Sequence, residues 1–324
     1  MEESKLARWV EEGGGEPPRL VFVIGKGGVG KTTASIILAY ELARRNRVLL
    51  VSLDQAMHLL EYLGMRKPMK KERIVEGLDA VQVDVNVLIR KESMDYVNLM
   101  QSVMPGLTVV NADDVVKSLK FNPGFEEEVY LRYISGLSGE KEYDYIVVDT
   151  PPTGVTYRML RLPKLYMFWV EQLIRLRKRI INLRYIIART MGRDIEPRDP
   201  VLNKLLELKE RYGLLYRNLG DKARTRYVCI MTPEPLPLYE TENTIRFLEE
   251  MKTRPSMIIV NRLLDRSTAD SLGVLRVQEE VLSKIKEDAC SRGIPIVGIM
   301  HSPKPPRRLG EALELLERVS IINC

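Results

Sequence analysis

Leu20-Val21-Phe22-Val23-Ile24-Gly25-Lys26-Gly27-Gly28-Val29-Gly30-Lys31-Thr32-Thr33 runs five apolar residues into a glycine-rich turn that closes on Lys-Thr. Glycines let backbone N–H groups curl around phosphate oxygens without Cβ clashes, and the helix that follows aims its positive N-terminus at the anion. Lys31 then reaches the terminal phosphates and the Thr32 hydroxyl ligates Mg²⁺. Gly25, Gly27 and Gly30 also satisfy the dinucleotide pattern G-x-G-x-x-G, with Asp54 where a ribose-binding acid sits. Lys31-Thr32 decides between the two, because a nicotinamide site has no use for them. The run predicts a site for ATP or GTP.

Outward from this loop, short β-rich runs alternate with helical stretches: 20–24, 47–53, 80–85, 144–149, 226–231, 256–260 and 294–299. Continuous apolar strands of this kind are buried on both faces, which predicts an α/β fold with a doubly wound, mostly parallel sheet wrapped by helices. Chemistry then belongs at the strand C-terminal ends, where Gly25, Asp54, Asp149 and Asn261 all fall. Asp54, after the second strand, is the expected catalytic carboxylate that orients or deprotonates water. Its competing role is a helix N-cap. Asp149 opens Asp149-Thr150-Pro151-Pro152-Thr153-Gly154 and is expected to hold Mg²⁺ through water, with the Pro and Gly that follow forming a switch.

Two segments break the alternation, about 86–140 and 157–222, and both read as helical. In the second, Trp169, Leu173, Leu176, Ile180, Leu183 and Ile187 recur at spacings of three and four, an apolar stripe on one helix face. From Gly154 to Arg226 the net charge is +11, against +6 for the whole chain, so the basic charge is local. A solvated helical face and an attraction to anionic lipid or nucleic acid are both readings of it. Met94, Val97, Met100 and Met104 make a second, Met-rich face suited to varied apolar helices.

Residues 1–18, with five acids and a Gly13-Gly14-Gly15 run, read as a flexible leader holding one helical turn around Leu6, Trp9 and Val10, not as a secretion signal. No span of membrane length follows, so a cytoplasmic location is expected. The three cysteines are too far apart in sequence to define a disulfide framework or a zinc site, and at least two are expected to be small buried or terminal thiols. His58 and His301, the only histidines, read as packing or surface residues.

Gly25 to Thr33, Ser52-Leu53-Asp54, the Asp149 to Gly154 switch, Pro233-Glu234-Pro235-Leu236-Pro237-Leu238-Tyr239-Glu240-Thr241-Glu242 and Ile258-Ile259-Val260-Asn261 stand in this order. Together they resemble the arsenical-pump ATPase family, and within it the branch, in archaeal form, that delivers tail-anchored membrane proteins. The resemblance, over most of residues 19–320, implies a deviant phosphate-loop ATPase of the SIMIBI type covering 19–324. It implies that Lys26 acts across a homodimer, Asp54 activates water, Thr32 binds Mg²⁺, Asn261 reads adenine and Glu234 lies beside the nucleotide. Gly25, Gly27, Gly28, Val29, Gly30, Lys31 and Thr33 complete the nucleotide site. The helical segments take the place of a subdomain that binds client transmembrane segments, and an anionic membrane surface or receptor completes the expected partners. No zinc and no specific nucleic acid are expected. Residues 265–280 lack the Cys-x-x-C that holds zinc between protomers in the family, and His58 stands one place later than usual. Two rival functions remain: an arsenite-stimulated efflux-pump subunit, and a ParA- or MinD-like positioning ATPase.

Overall fold

Val21, Val23, Leu50 and Val147 are strand residues with no exposed surface, and they lie in the middle of one nine-stranded sheet. The computed structural model describes residues 6–11, 17–103, 124–192 and 199–323, with 95–103 described in backbone only. The strands are β1 (Arg19–Ile24), β2 (Val48–Ser52), β3 (Glu72–Val75), β4 (Leu78–Gln82), β5 (Tyr145–Asp149), β6 (Thr225–Met231), β7 (Met257–Leu263), β8 (Ile296–Met300) and β9 (Val319–Ile322). Their order is β3-β4-β2-β5-β1-β6-β7-β8-β9, parallel except for the two outer pairs, β3 with β4 and β8 with β9.

The helices are α1 (Arg8–Glu11), α2 (Lys31–Ala43), α3 (His58–Leu63), α4 (Val85–Val103), α5 (Phe125–Leu137), α6 (Thr153–Thr190), α7 (Pro200–Gly220), α8 (Pro235–Glu250), α9 (Arg266–Ser271), α10 (Leu275–Ser291) and α11 (Leu309–Leu313). The expected α/β architecture is present. Two edge strands escaped the sequence reading: β3 and β9 are short, half-exposed and antiparallel, without the apolar run that marks the parallel interior. The strand expected at 80–85 is Leu78–Gln82, and Val85 already begins α4.

Two compact units divide the chain: residues 1–159 with 221–324, and residues 160–220. Of the two helical segments expected to form one subdomain, only the second stands apart. The described parts of the first, α4 and α5, fold with the sheet. Val97 and Met100 of the Met-rich face have undescribed side chains, and Met104 lies outside the described residues.

Residues 6–11 depart from the expected flexible leader. The expected helical turn is there, but Leu6, Ala7 and Val10 are buried in the main core. The buried Glu41 carboxylate of α2 accepts from the backbone N–H groups of Leu6 (3.0 Å) and Ala7 (3.1 Å), so this segment is hydrogen-bonded to the phosphate-loop helix. Cys229 is a buried free thiol, its pKa pushed up to about 12 by burial, whereas Cys290 is disulfide-bonded, a pairing the spacing did not suggest.

Within the second unit α6 and α7 run antiparallel. Tyr166 meets Tyr212 at 4.9 Å between ring centres, Lys209 pairs with Glu171 at 2.8 Å, and Arg177 pairs with Asp199 at 2.9 Å. Val170 and Ile174 are the buried apolar residues of this stretch of α6. The expected apolar stripe lies elsewhere: Trp169, Leu176, Leu183 and Ile187 each leave more than half their surface in water, and Leu173 nearly half. Among the described residues, no helix is long and apolar enough to cross a membrane.

Candidate nucleotide site

Sheet register brings the chemical residues together. Val23 of β1 and Ser52 of β2 both pair with Asp149 of β5, so the turn after β1, the loop after β2 and the end of β5 share one edge. Gly25 belongs there because a Cβ would collide with the Ile230 carbonyl oxygen of β6. Gly30 holds φ at 97°, left-handed backbone that glycine adopts without penalty. A Cβ there would stand 2.5 Å from Asn261 Nδ2. The turn ends as the N-cap of α2, whose first N–H groups face the site with no acidic residue in the first helical turn.

At the centre, Thr32 Oγ1 donates to Asp149 Oδ2 (2.8 Å) and Ser52 Oγ donates to the same oxygen (3.1 Å). Asp149 is fully buried, and its Oδ1 has no partner. Burial pushes its pKa up from 3.8 to about 6, against the lowering effect of the Thr32 hydrogen bond and the Lys31 charge; the Asp54 charge raises it further. An orphaned, buried carboxylate oxygen beside a threonine hydroxyl fits a hard cation held by that hydroxyl and, through water, by the carboxylate. Lys31 is buried, and its ammonium donates to the Lys26 carbonyl at 3.4 Å, which folds the loop back on itself.

Asp54 sits just past β2. Its Oδ1 accepts from Ala56 N–H (3.1 Å) and its carbonyl accepts from Gln82 Nε2 (2.9 Å), while the helix itself begins later, at His58. The helix N-cap role weighed from sequence is thus absent, since Met57 holds that position, and Asp54 makes only a local turn that leaves its Oδ2 without a hydrogen bond among the described residues. Met57, in left-handed backbone at φ 54°, completes that loop. Gln55 donates to Glu126 at 2.6 Å, and the next residue of α5, Glu127, accepts from Arg158 of α6 at 2.5 Å. The first turn of α5 therefore touches both the loop after β2 and the helix after the Asp149 switch.

A cavity of about 490 Å³ opens on this edge. Of the residues expected to bind nucleotide, Gly28, Gly30, Lys31, Thr32, Thr33, Asp54 and Asn261 line it. Gly25 and Val29 are buried, Gly27 is exposed and Lys26 is half-buried, none of the four on the cavity wall. Glu234 is exposed at the N-cap of α8, away from that wall. Asn261 Nδ2 donates to the Val29 carbonyl (2.8 Å) and its Oδ1 accepts from Arg262 N–H (2.9 Å). One N–H and one lone pair remain, the pair of groups that matches an adenine edge.

His58 and Tyr62 of α3, Arg262 of β7, the residues Met300 to Pro303, and Pro305 and Pro306 also line the cavity. Sequence reasoning missed them and assigned both histidines to packing or surface. The switch-point rule, applied to the end of β8 as it was to β7, would have found Met300 and His301.

A glycine turn between a buried strand and a helix, with a Thr–Asp pair and a lysine folded over it, defines a phosphate-loop nucleoside triphosphatase. The chain belongs to the anion-transporting ATPase family, whose profile matches residues 18–291, and is an ATPase. It is 29% identical over 273 residues to a putative arsenical pump-driving ATPase 2 of Aquifex aeolicus (strain VF5), covering 83% of this chain and 88% of that one. It is 33% identical over 280 residues to ATPase get3 of Aspergillus terreus (strain NIH 2624 / FGSC A1156), covering 83% and 81%. With ATPase GET3A of Arabidopsis thaliana it shares 34% over 254 residues, 77% and 68% of the two chains.

Proposed function

We propose that this ATPase is a cytoplasmic targeting factor that binds the transmembrane segment of a tail-anchored membrane protein and releases it at a membrane when ATP is hydrolysed. One observation carries the reading. A family ATPase site sits in the same chain as a helical unit that leaves Trp169, Leu173, Leu176, Leu183 and Ile187 in water. Apolar area on that scale marks a binding surface, and an amphipathic face with anchors three and four residues apart suits another helix.

In this reading the nucleotide lies in the cavity with its phosphates on Gly28 to Thr32 and its base against Asn261. Thr32 and, through water, Asp149 would hold Mg²⁺, which would supply charge neutralisation on the phosphates. Asp54 orients the attacking water. Lys26, close to the loop yet off the cavity wall, acts on the nucleotide of a second copy, so hydrolysis depends on a closed homodimer. The exposed trio Leu272, Val274 and Val277, in the stretch without the family's zinc cysteines, supplies apolar contact for that dimer. The route from site to helices runs from Gln55 through Glu126 and Glu127 to Arg158 on α6. The basic charge of the 154–226 region favours approach to anionic lipid.

An arsenite-driven pump role has less support, because soft As(III) favours thiolate ligands. Cys229, the free cysteine among the described residues, is a buried, protonated thiol, and Cys290 is already oxidised.

Co-expression with a tail-anchored protein tests the proposal. The wild-type chain should co-purify with the client, and Trp169→Asp with Leu176→Asp should release it while ATP binding persists. Unchanged client recovery in the double variant would contradict it.

A further inference from the structure

Arg262 lines the nucleotide cavity directly after Asn261, where the β7–β8 ladder shifts register between Val260 and Leu263. Its backbone is left-handed, at φ 59°, a conformation that a side chain with a Cβ rarely adopts and that persists only where the surroundings impose it. Asn261 imposes it here, its Oδ1 accepting from Arg262 N–H at 2.9 Å. Bulges of this kind re-aim a side chain beside a site. Among the described residues, the Arg262 guanidinium makes no hydrogen bond or ion pair. The strained backbone is thus tied to Asn261, while the side chain it carries has no such partner among them.

We propose that Arg262 is a further nucleotide-binding residue whose guanidinium closes over the base and ribose end of the bound nucleotide. This rests on the nucleotide filling the cavity as proposed above. Position argues for the base end. The phosphates belong to the turn after β1, and β7 stands two strands away in the order β1-β6-β7, roughly 10 Å at about 4.8 Å per strand. The neighbouring wall, Met300, Pro303, Pro305 and Pro306, is apolar and suits the face of a ring. A planar guanidinium stacks on the opposite face in a way a lysine ammonium does not.

Calorimetric titration of the full-length protein with ADP and with a non-hydrolysed ATP analogue tests this, alongside thermal melting without nucleotide. Arg262→Gly should weaken both ligands about tenfold and by the same factor, while the nucleotide-free protein melts at or above the wild-type temperature because glycine relieves the left-handed backbone. Arg262→Lys should not restore affinity. Wild-type affinity in Arg262→Gly, full rescue by Arg262→Lys, or a loss confined to the triphosphate would each overturn the assignment. Lys31→Ala separates the two readings: if it binds ADP as well as wild type does, the cavity is not the nucleotide site, and the nucleotide reading falls first.

Discussion

The sheet unit and the helical unit use apolar residues in opposite ways. In the first, Val23, Ile146, Val147 and Ile259 are sealed from water and hold the strand ends in register, so that Ser52 and Thr32 converge on one oxygen of Asp149. In the second, α6 and α7 are tied by Arg177–Asp199, Lys209–Glu171 and a tyrosine pair, while larger apolar side chains stay outside. A buried apolar residue serves the fold, whereas in the proposed reading the exposed stripe serves a partner.

The largest effects should fall at the site. Lys31→Ala and Asp54→Asn should each lower steady-state ATP hydrolysis by on the order of 10³-fold. Asp54→Asn should retain nucleotide affinity and Lys31→Ala should not. Equal loss of affinity in both would deny Asp54 a role in the reaction itself.

The contrast between the units predicts opposite responses to similar substitutions. Ile146→Ala, in a fully buried strand position, should cost about 2–4 kcal/mol in chemical denaturation. Leu176→Asp, at an exposed one, should change stability by about 0.5 kcal/mol or less and yet reduce client recovery. A large loss of stability in the second variant would mean that the stripe is covered within the chain.

Asp149 offers a pH test. Because burial raises its pKa to about 6, the nucleotide-free native state holds more protons than the unfolded chain between the ordinary carboxylate range and that value. Stability should therefore fall as pH rises from about 4 through 6, by about 3 kcal/mol at most, and level off above. Asp149→Asn should remove that slope. A smaller effect is expected at the N-terminal segment: Glu41→Gln should cost about 1–2 kcal/mol and speed proteolysis near residues 6–11. Unaltered cleavage there would show that burial of Leu6 and Val10 suffices.

How much was legible in advance follows from periodicity. Interior strands and the phosphate turn announce themselves because double-sided burial demands unbroken apolar runs and because the turn's glycines and Lys31-Thr32 stand in one contiguous motif, although the close contact that requires glycine at position 25 comes from Ile230, far away in sequence. β3 and β9 were hidden, since half-exposed edge strands carry mixed residues. The amphipathic stripe of α6 was found by its spacing. Spacing gives only the existence of an apolar face, however, and between Trp169 and Ile187 the buried positions are Val170 and Ile174 instead. His58 and Tyr62 reach the cavity through packing of α3, for which their neighbours in sequence hold no signal, whereas Arg262 follows Asn261 directly and was open to the same strand-end rule.

Sedimentation velocity of the full-length protein with a saturating non-hydrolysed ATP analogue and a tail-anchored segment tests the central claim most directly. The account predicts a particle of two chains carrying the segment, and for Lys26→Ala nucleotide binding without rapid hydrolysis. Single chains that hydrolyse ATP at the full rate and leave the segment unbound would contradict it.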